Sequence, residues 1–205
     1  EGDRVAVQPG LFCGRCEACL SAFPRGCRLY KPASYYGAIS AEFPPYIWGS
    51  MAAYMYLAPE TILHKVSADV PTEIAAMFNA LGAGFEWAYL AAGTNIGNVV
   101  VILGCGQRGL ASVIAAKEAG AAVVVITGLA KDNYKLEVAK ELGADVVINV
   151  DVEDPVHRVG ELTGGRGADV VVDCTSNAPE AFNQAHRICK AGGMVVVAGL
   201  RGHKP

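Results

Sequence analysis

The segment from Val99 to Gly109 constrains this chain more than any other. Val99 to Leu103 is an unbroken apolar run, the pattern of a strand buried on both faces. Gly104-Cys105-Gly106-Gln107-Arg108-Gly109 comes directly after it, and a helical stretch from about Gln107 to Ala119 comes next, with Gly120 as its stop. The same alternation then repeats. Strands are expected at Val123 to Thr127, Val146 to Val150, Val170 to Cys174 and Met194 to Ala198. Helices are expected at Tyr134 to Leu142, ended by Gly143, and at Pro179 to Lys190. Val/Ile-rich strands alternating with helices predict an α/β fold built on a doubly wound parallel sheet. Pro71-Thr72-Glu73 opens a further helix to about Asn79, and Gly82 and Gly84 interrupt the stretch beyond it.

A G-x-G-x-x-G between strand and helix has a physical use. Gly104 permits the tight turn, Gly106 lets a pyrophosphate approach the backbone, and Gly109 lets helix pack on strand. Amides at 106–109, including those of Gln107 and Arg108, then face the phosphates at the positive end of the helix dipole. A glycine turn that only packs the helix is the other reading. Arg108 either adds charge toward the pyrophosphate or points to solvent. The next strand lacks the terminal acid that would hold the ribose of NAD. It ends in Thr127-Gly128, and Leu129-Ala130-Lys131-Asp132 come after it. Lys131 either meets a 2′-phosphate or is an ordinary loop lysine, so NADP and NAD both stay open. These features make residues 71–205 a Rossmann dinucleotide-binding domain.

Residues 1–70 have a different texture. A short strand at Asp3 to Val7 leads into a loop rich in Cys, Gly and Pro, and further strands are expected at Met51 to Ala58 and Ile62 to Val66. Four of the seven cysteines fall together as Cys13-x2-Cys16-x2-Cys19-x7-Cys27. Four thiolates complete a tetrahedron for Zn²⁺ and leave no open position, so such a metal is structural. Ferredoxins share the first two spacings, but their next cysteine comes after three residues and precedes Pro; here the gap is seven and Arg28 is next. Tyr35, Tyr36, Tyr46 and Trp48 either wall a substrate cleft or pack within the lobe. His64, His157, His186 and His203 are isolated, with no partner at ligand spacing.

A net charge of −3 without blocks of like charge favours neither nucleic acid nor an anionic membrane as partner. Glu86, Arg108, Lys117 and Glu118 break the apolar stretches before a membrane span is reached. With the chain opening on Glu1-Gly2-Asp3-Arg4 no signal peptide is expected, and clustered cysteines then suggest metal binding in a reducing, cytoplasmic setting.

Gly-Asp-Arg-Val-Ala-Val, then the four cysteines, then the glycine motif some way downstream resembles the medium-chain zinc-containing alcohol dehydrogenases. Leu142-Gly143-Ala144-Asp145, Gly164-Gly165-Arg166-Gly167-Ala168-Asp169 and Lys190-Ala191-Gly192-Gly193 are similar to that family's turns. The resemblance implies that residues 1–70 are part of a GroES-like β-barrel catalytic domain carrying the zinc lobe. It also implies that Cys174-Thr175-Ser176 and Ala198-Gly199-Leu200 line the nicotinamide half of the cofactor. The family's Cys and His ligands to a catalytic zinc would precede Glu1, and its last strand would lie past Pro205, so the chain is expected to be a fragment lacking both termini and inactive alone. In the stretch Asn79-Ala80-Leu81-Gly82-Ala83-Gly84-Phe85-Glu86, alanines stand at the usual ligand positions, leaving Asn79 and Glu86 as the nearby oxygen donors. The implied protein is a homodimer or homotetramer acting on a small-molecule alcohol or carbonyl compound. Two other readings remain: a zinc-independent NADPH-dependent reductase of activated double bonds, and an inactive dinucleotide-binding protein.

Overall fold

The computed structural model describes residues 2–28 and 35–199, which form parts of two compact units, Glu1–Ala76 and Met77–Pro205. Leu200 and His203 lie outside the described residues.

The second unit is built on a five-stranded parallel sheet. Its strands are β3 (Val99–Leu103), β4 (Val123–Gly128), β5 (Val146–Asn149), β6 (Ala168–Asp173) and β7 (Cys189–Val197), in the order β5-β4-β3-β6-β7. Helices α4 (Gln107–Glu118), α5 (Asn133–Glu141), α6 (Pro155–Leu162) and α7 (Pro179–Ile188) link them. Because a strand's side chains alternate between faces, each strand feeds two cores. Val100, Ile102, Val124, Ile126 and Val172 pack with Val113, Ala116 and Ala139 of α4 and α5. Val101, Leu103, Val125, Ile148 and Val171 pack with Val159, Ala185 and Ile188 of α6 and α7. Helices on both faces make the sheet doubly wound, a Rossmann-like α/β fold, and each fully buried Val or Ile contributes about 1.5–3 kcal/mol.

Two Gly-Ala-Asp turns close the amino-terminal edge of this sheet. Asp145 Oδ2 accepts from the Val124 amide at 2.7 Å, and Asp169 Oδ2 accepts from the Val99 amide at 2.7 Å. Each aspartate thus caps the start of a neighbouring strand and also pairs with a lysine, Lys117 and Lys190 respectively.

Several expectations change. The helix expected to stop near Asn79 breaks at Met77 instead: α2 (Thr72–Ala76) precedes it, and α3 (Phe78–Phe85) runs through both glycines into a π-turn, Glu86–Leu90. Gly84 explains the continuation, since a Cβ there would lie 2.5 Å from the Ala111 carbonyl carbon; the glycine lets α3 touch the backbone of α4. Helix α6 was not anticipated, although Asp154 caps it by accepting from the Val156 amide at 2.9 Å and Pro155 occupies its first position. Strand β7 begins at Cys189, because Ala191-Gly192-Gly193 forms an irregularity inside the strand rather than a turn before it.

The first unit contains β1 (Val5–Val7) antiparallel to β2 (Leu63–Lys65), and the short helices α1 (Glu17–Leu20) and α2. Arg4 ties its ends, donating to Thr72 Oγ1 at 2.8 Å and to the Ser67 and Val70 carbonyls at 2.6 Å each. Met51 to Ala58 is not a strand: Met51 to Tyr54 are exposed, and the Tyr56 amide bonds the Ile47 carbonyl in place of a ladder.

Candidate functional site

The four clustered cysteines converge in space. All four sulfurs lie within 4.8 Å of one another, with Cys16–Cys19 at 3.5 Å and Cys13–Cys19 at 4.0 Å. A tetrahedron with Zn–S bonds of about 2.3 Å has edges of about 3.8 Å, so small shifts of the sulfurs would complete a zinc site. Helix α1 sets the Cys16–Cys19 pair one turn apart, and the Cys13 amide donates to Cys27 Sγ at 3.3 Å. Packed thiols compete for protons. Burial and the neighbouring thiols push Cys19 up to about 12, whereas the Cys19 amide lowers Cys16. Zinc would displace those protons on binding. Among the described residues this is the one convergence of three or more His, Cys, Asp or Glu side chains.

The second site lies at the carboxyl ends of the parallel strands. The chain crosses from β5 to β6 over β3, so the connections from β3 and β6 diverge to opposite faces and open a crevice between them. Gly104 turns at φ +94°, and its amide donates to Thr127 Oγ1 at 3.2 Å. Gly109 comes so close to Gly104 that a Cβ would strike its carbonyl oxygen. Gly106 caps α4 without any side-chain acceptor for the first-turn amides, and a Cβ on it would meet nothing within 4 Å. Orphan amides facing open space fit a pyrophosphate.

Arg108 is held by neighbours on the elements around the turn. It lies 5.4 Å over the Trp87 ring and donates to Asn79 Oδ1 at 3.4 Å, while its buried Nε has no partner. Gln107 is exposed on the first turn of α4. Beyond β6, Cys174 approaches Ser112 Oγ at 3.8 Å, and burial raises its thiol to about 11. Thr175 is wedged between two glycines: a Cβ on Gly104 would meet its methyl at 3.0 Å, and one on Gly199 would collide with its carbonyl oxygen. Asp173, fully buried, accepts from the Thr175 amide at 3.0 Å and hydroxyl at 2.6 Å. Sequence reasoning missed this buried carboxylate; its only signal was an acid ending an otherwise apolar strand.

At the tip of β4, Gly128 pairs with Asn149, Lys131 is exposed, and Asp132 is bound to Lys135 at 2.6 Å. Asn79 and Glu86 sit exposed on and after α3 and do not converge with other ligand types. Tyr36 and Trp48 of the aromatic run pack within their own unit, where the Tyr36 hydroxyl bonds Thr61 and the Ala58 amide and Trp48 meets Tyr56 edge-on at 5.0 Å, while Tyr46 is exposed.

Known proteins share this chain's sequence and fold. The sequence pattern of the zinc-binding dehydrogenases matches residues 109–205. A Mycobacterium tuberculosis protein named "Probable alcohol dehydrogenase" is 45% identical over 202 residues, 98% of this chain and 55% of that protein. The chain is similar to the zinc-binding dehydrogenases over residues 109–205, and to an alcohol dehydrogenase over nearly its whole length. Among solved structures, an alcohol dehydrogenase from Thermotoga maritima superimposes with a TM-score of 0.86 at 28% identity, over 100% of this chain and 56% of its own. A zinc-binding dehydrogenase target from Sinorhizobium meliloti 1021, bound to NADP, gives 0.77 at 25% identity over 100% and 56%. The chain spans about half the length of the relatives it matches. No helix of its described residues is long and apolar enough to cross a membrane.

Proposed function

We propose that this chain belongs to an NAD(P)-dependent oxidoreductase that interconverts an alcohol and an aldehyde or ketone by hydride transfer, in the cytoplasm, as a homodimer or homotetramer. The observation that carries the reading is the α4 amino terminus. Its uncapped amides and open Gly106 face the crevice where β3 and β6 diverge. When bound there, the nicotinamide supplies the hydride acceptor. The chain's own work is placement. Gly104 and Gly109 shape the pyrophosphate turn, and Asp173 holds Thr175 beside Cys174 and Gly199, the segments assigned to the nicotinamide half, which would also include Leu200. Cys13, Cys16, Cys19 and Cys27 would hold a structural zinc that staples the first unit. Residues 1–70 are read as part of a GroES-like domain and 71–205 as the dinucleotide-binding domain.

A second reading has its own support. Asn79 is engaged by Arg108, and α3 offers no Cys, His, Asp or Glu between Ala80 and Phe85, which suits a reductase of activated double bonds that needs no catalytic metal. A steady-state assay of the zinc-loaded full-length protein separates them, with NAD, NADP and their reduced forms as cofactors. Oxidation of alcohols supports the first reading. Reduction of enones or quinones alone supports the second, and turnover of neither class overturns both.

A further inference from the structure

The crevice's adenosine end departs from what its strand β4 can supply. A side chain at Gly128 has no room: a Cβ would lie 2.6 Å from Cys105 Sγ and 3.0 Å from Leu136 Cδ2. The next acid along, Asp132, is committed to Lys135. An acid does reach this place, however, from the neighbouring strand. The Val150 amide donates to the Gly128 carbonyl at 2.9 Å, carrying the chain beyond β5 alongside the tip of β4. There the Asp151 amide bonds Asn149 Oδ1 at 3.0 Å, and Asp151 Oδ2 accepts from the Ala130 amide at 2.7 Å. The carboxylate is thus exposed, fixed by main-chain contacts against residues 129–130, and paired with no Lys or Arg among the described residues.

We propose that Asp151 is the acid that holds the adenosine ribose hydroxyls, and that it makes this site prefer NAD over NADP; the inference rests on the dinucleotide reading above. A carboxylate only accepts hydrogen bonds, which suits ribose hydroxyls and opposes a 2′-phosphate. Its main-chain anchor fixes it before the nucleotide arrives, so little order is lost on binding. Lys131 carries the opposing charge, but as an exposed, flexible ammonium it is screened by salt.

The test is calorimetric titration of the zinc-loaded full-length protein with NADH and NADPH, for wild type, Asp151→Asn and Lys131→Met. The asparagine oxygen can still accept from the Ala130 amide, so the loop keeps its anchor. Wild type is expected to bind NADH about tenfold more tightly than NADPH, and Asp151→Asn to abolish that difference by weakening NADH about tenfold. Lys131→Met is expected to retain the preference. A wild-type preference for NADPH overturns the assignment whether or not the variant folds, as does an unchanged preference in Asp151→Asn. Binding of neither nucleotide by wild type overturns the dinucleotide reading itself.

Discussion

At the scale of single residues, the site depends on contacts that tolerate no added atoms. Gly109→Ala drives a methyl into the Gly104 carbonyl oxygen, so the pyrophosphate turn must open. Overpacking of this kind costs about 1–3 kcal/mol. The variant is expected to unfold earlier on heating and to lose nucleotide affinity, which thermal denaturation with and without NADH measures. Cys174 supplies a chemical prediction. With burial lifting its thiol to about 11, it stays protonated at pH 8, so iodoacetamide should alkylate it at least about tenfold more slowly than a free cysteine peptide. Peptide mapping by mass spectrometry reads the rates directly. The glycines of the turn were legible because their spacing carries their role. Asp173 and Asp151 were not, because each acts through a partner that only the folded sheet brings near: Thr175 for one, Ala130 for the other.

At the scale of elements, glycine inside a helix was read as an interruption, and packing overrode it. Gly84 lies where α3 meets α4, so Gly84→Ala is expected to destabilise the second unit by about 1–3 kcal/mol although alanine favours helix. Urea unfolding followed by circular dichroism tests the sign. A gain in stability would mean the two helices can part without loss. The β3–turn–α4 element was readable from local pattern alone, and so were the helix stops at Gly120 and Gly143, both at positive φ. Helix α6 carried only a short Asp-Pro start as its signal, while Met51 to Ala58 offered apolar residues but no neighbouring strand to pair with. The zinc lobe has its own test. Its residues bury few apolar side chains, Leu11, Phe12 and Cys27 among them, so a bound metal would contribute most of its order. Chelation at neutral pH is expected to expose all four thiols to Ellman's reagent, with re-addition of zinc protecting them again.

At the scale of the whole molecule, charge links the sheet's edge to pH. Burial raises the Asp169 carboxyl, but Lys190 and the Val99 amide outweigh it and hold the group below the usual aspartate range. A folded-state value lower than the unfolded one adds stability above about pH 4, and that stability is lost as pH falls through the depressed value. Asp169→Asn keeps an acceptor for Val99 and removes the ion pair. It should cost about 1 kcal/mol at pH 7 and progressively less as the pH is lowered into the acid range, a trend that urea melts at several pH values would expose. The fold class was legible from alternating apolar runs, since a parallel sheet covered on both faces leaves that trace in any sequence. Chemistry at the reacting centre left no such trace, because the described residues show one convergent metal-ligand set, the four thiols of the lobe. The most direct test of the account is isotope transfer in the zinc-loaded full-length protein. Incubated with alcohols deuterated at the carbinol carbon and with NAD or NADP, it should deliver deuterium to C4 of the nicotinamide ring. Stoichiometric binding of the nucleotide without any deuterium transfer, across primary and secondary alcohols, would contradict the account and leave the reductase of activated double bonds or a dinucleotide-binding protein in its place.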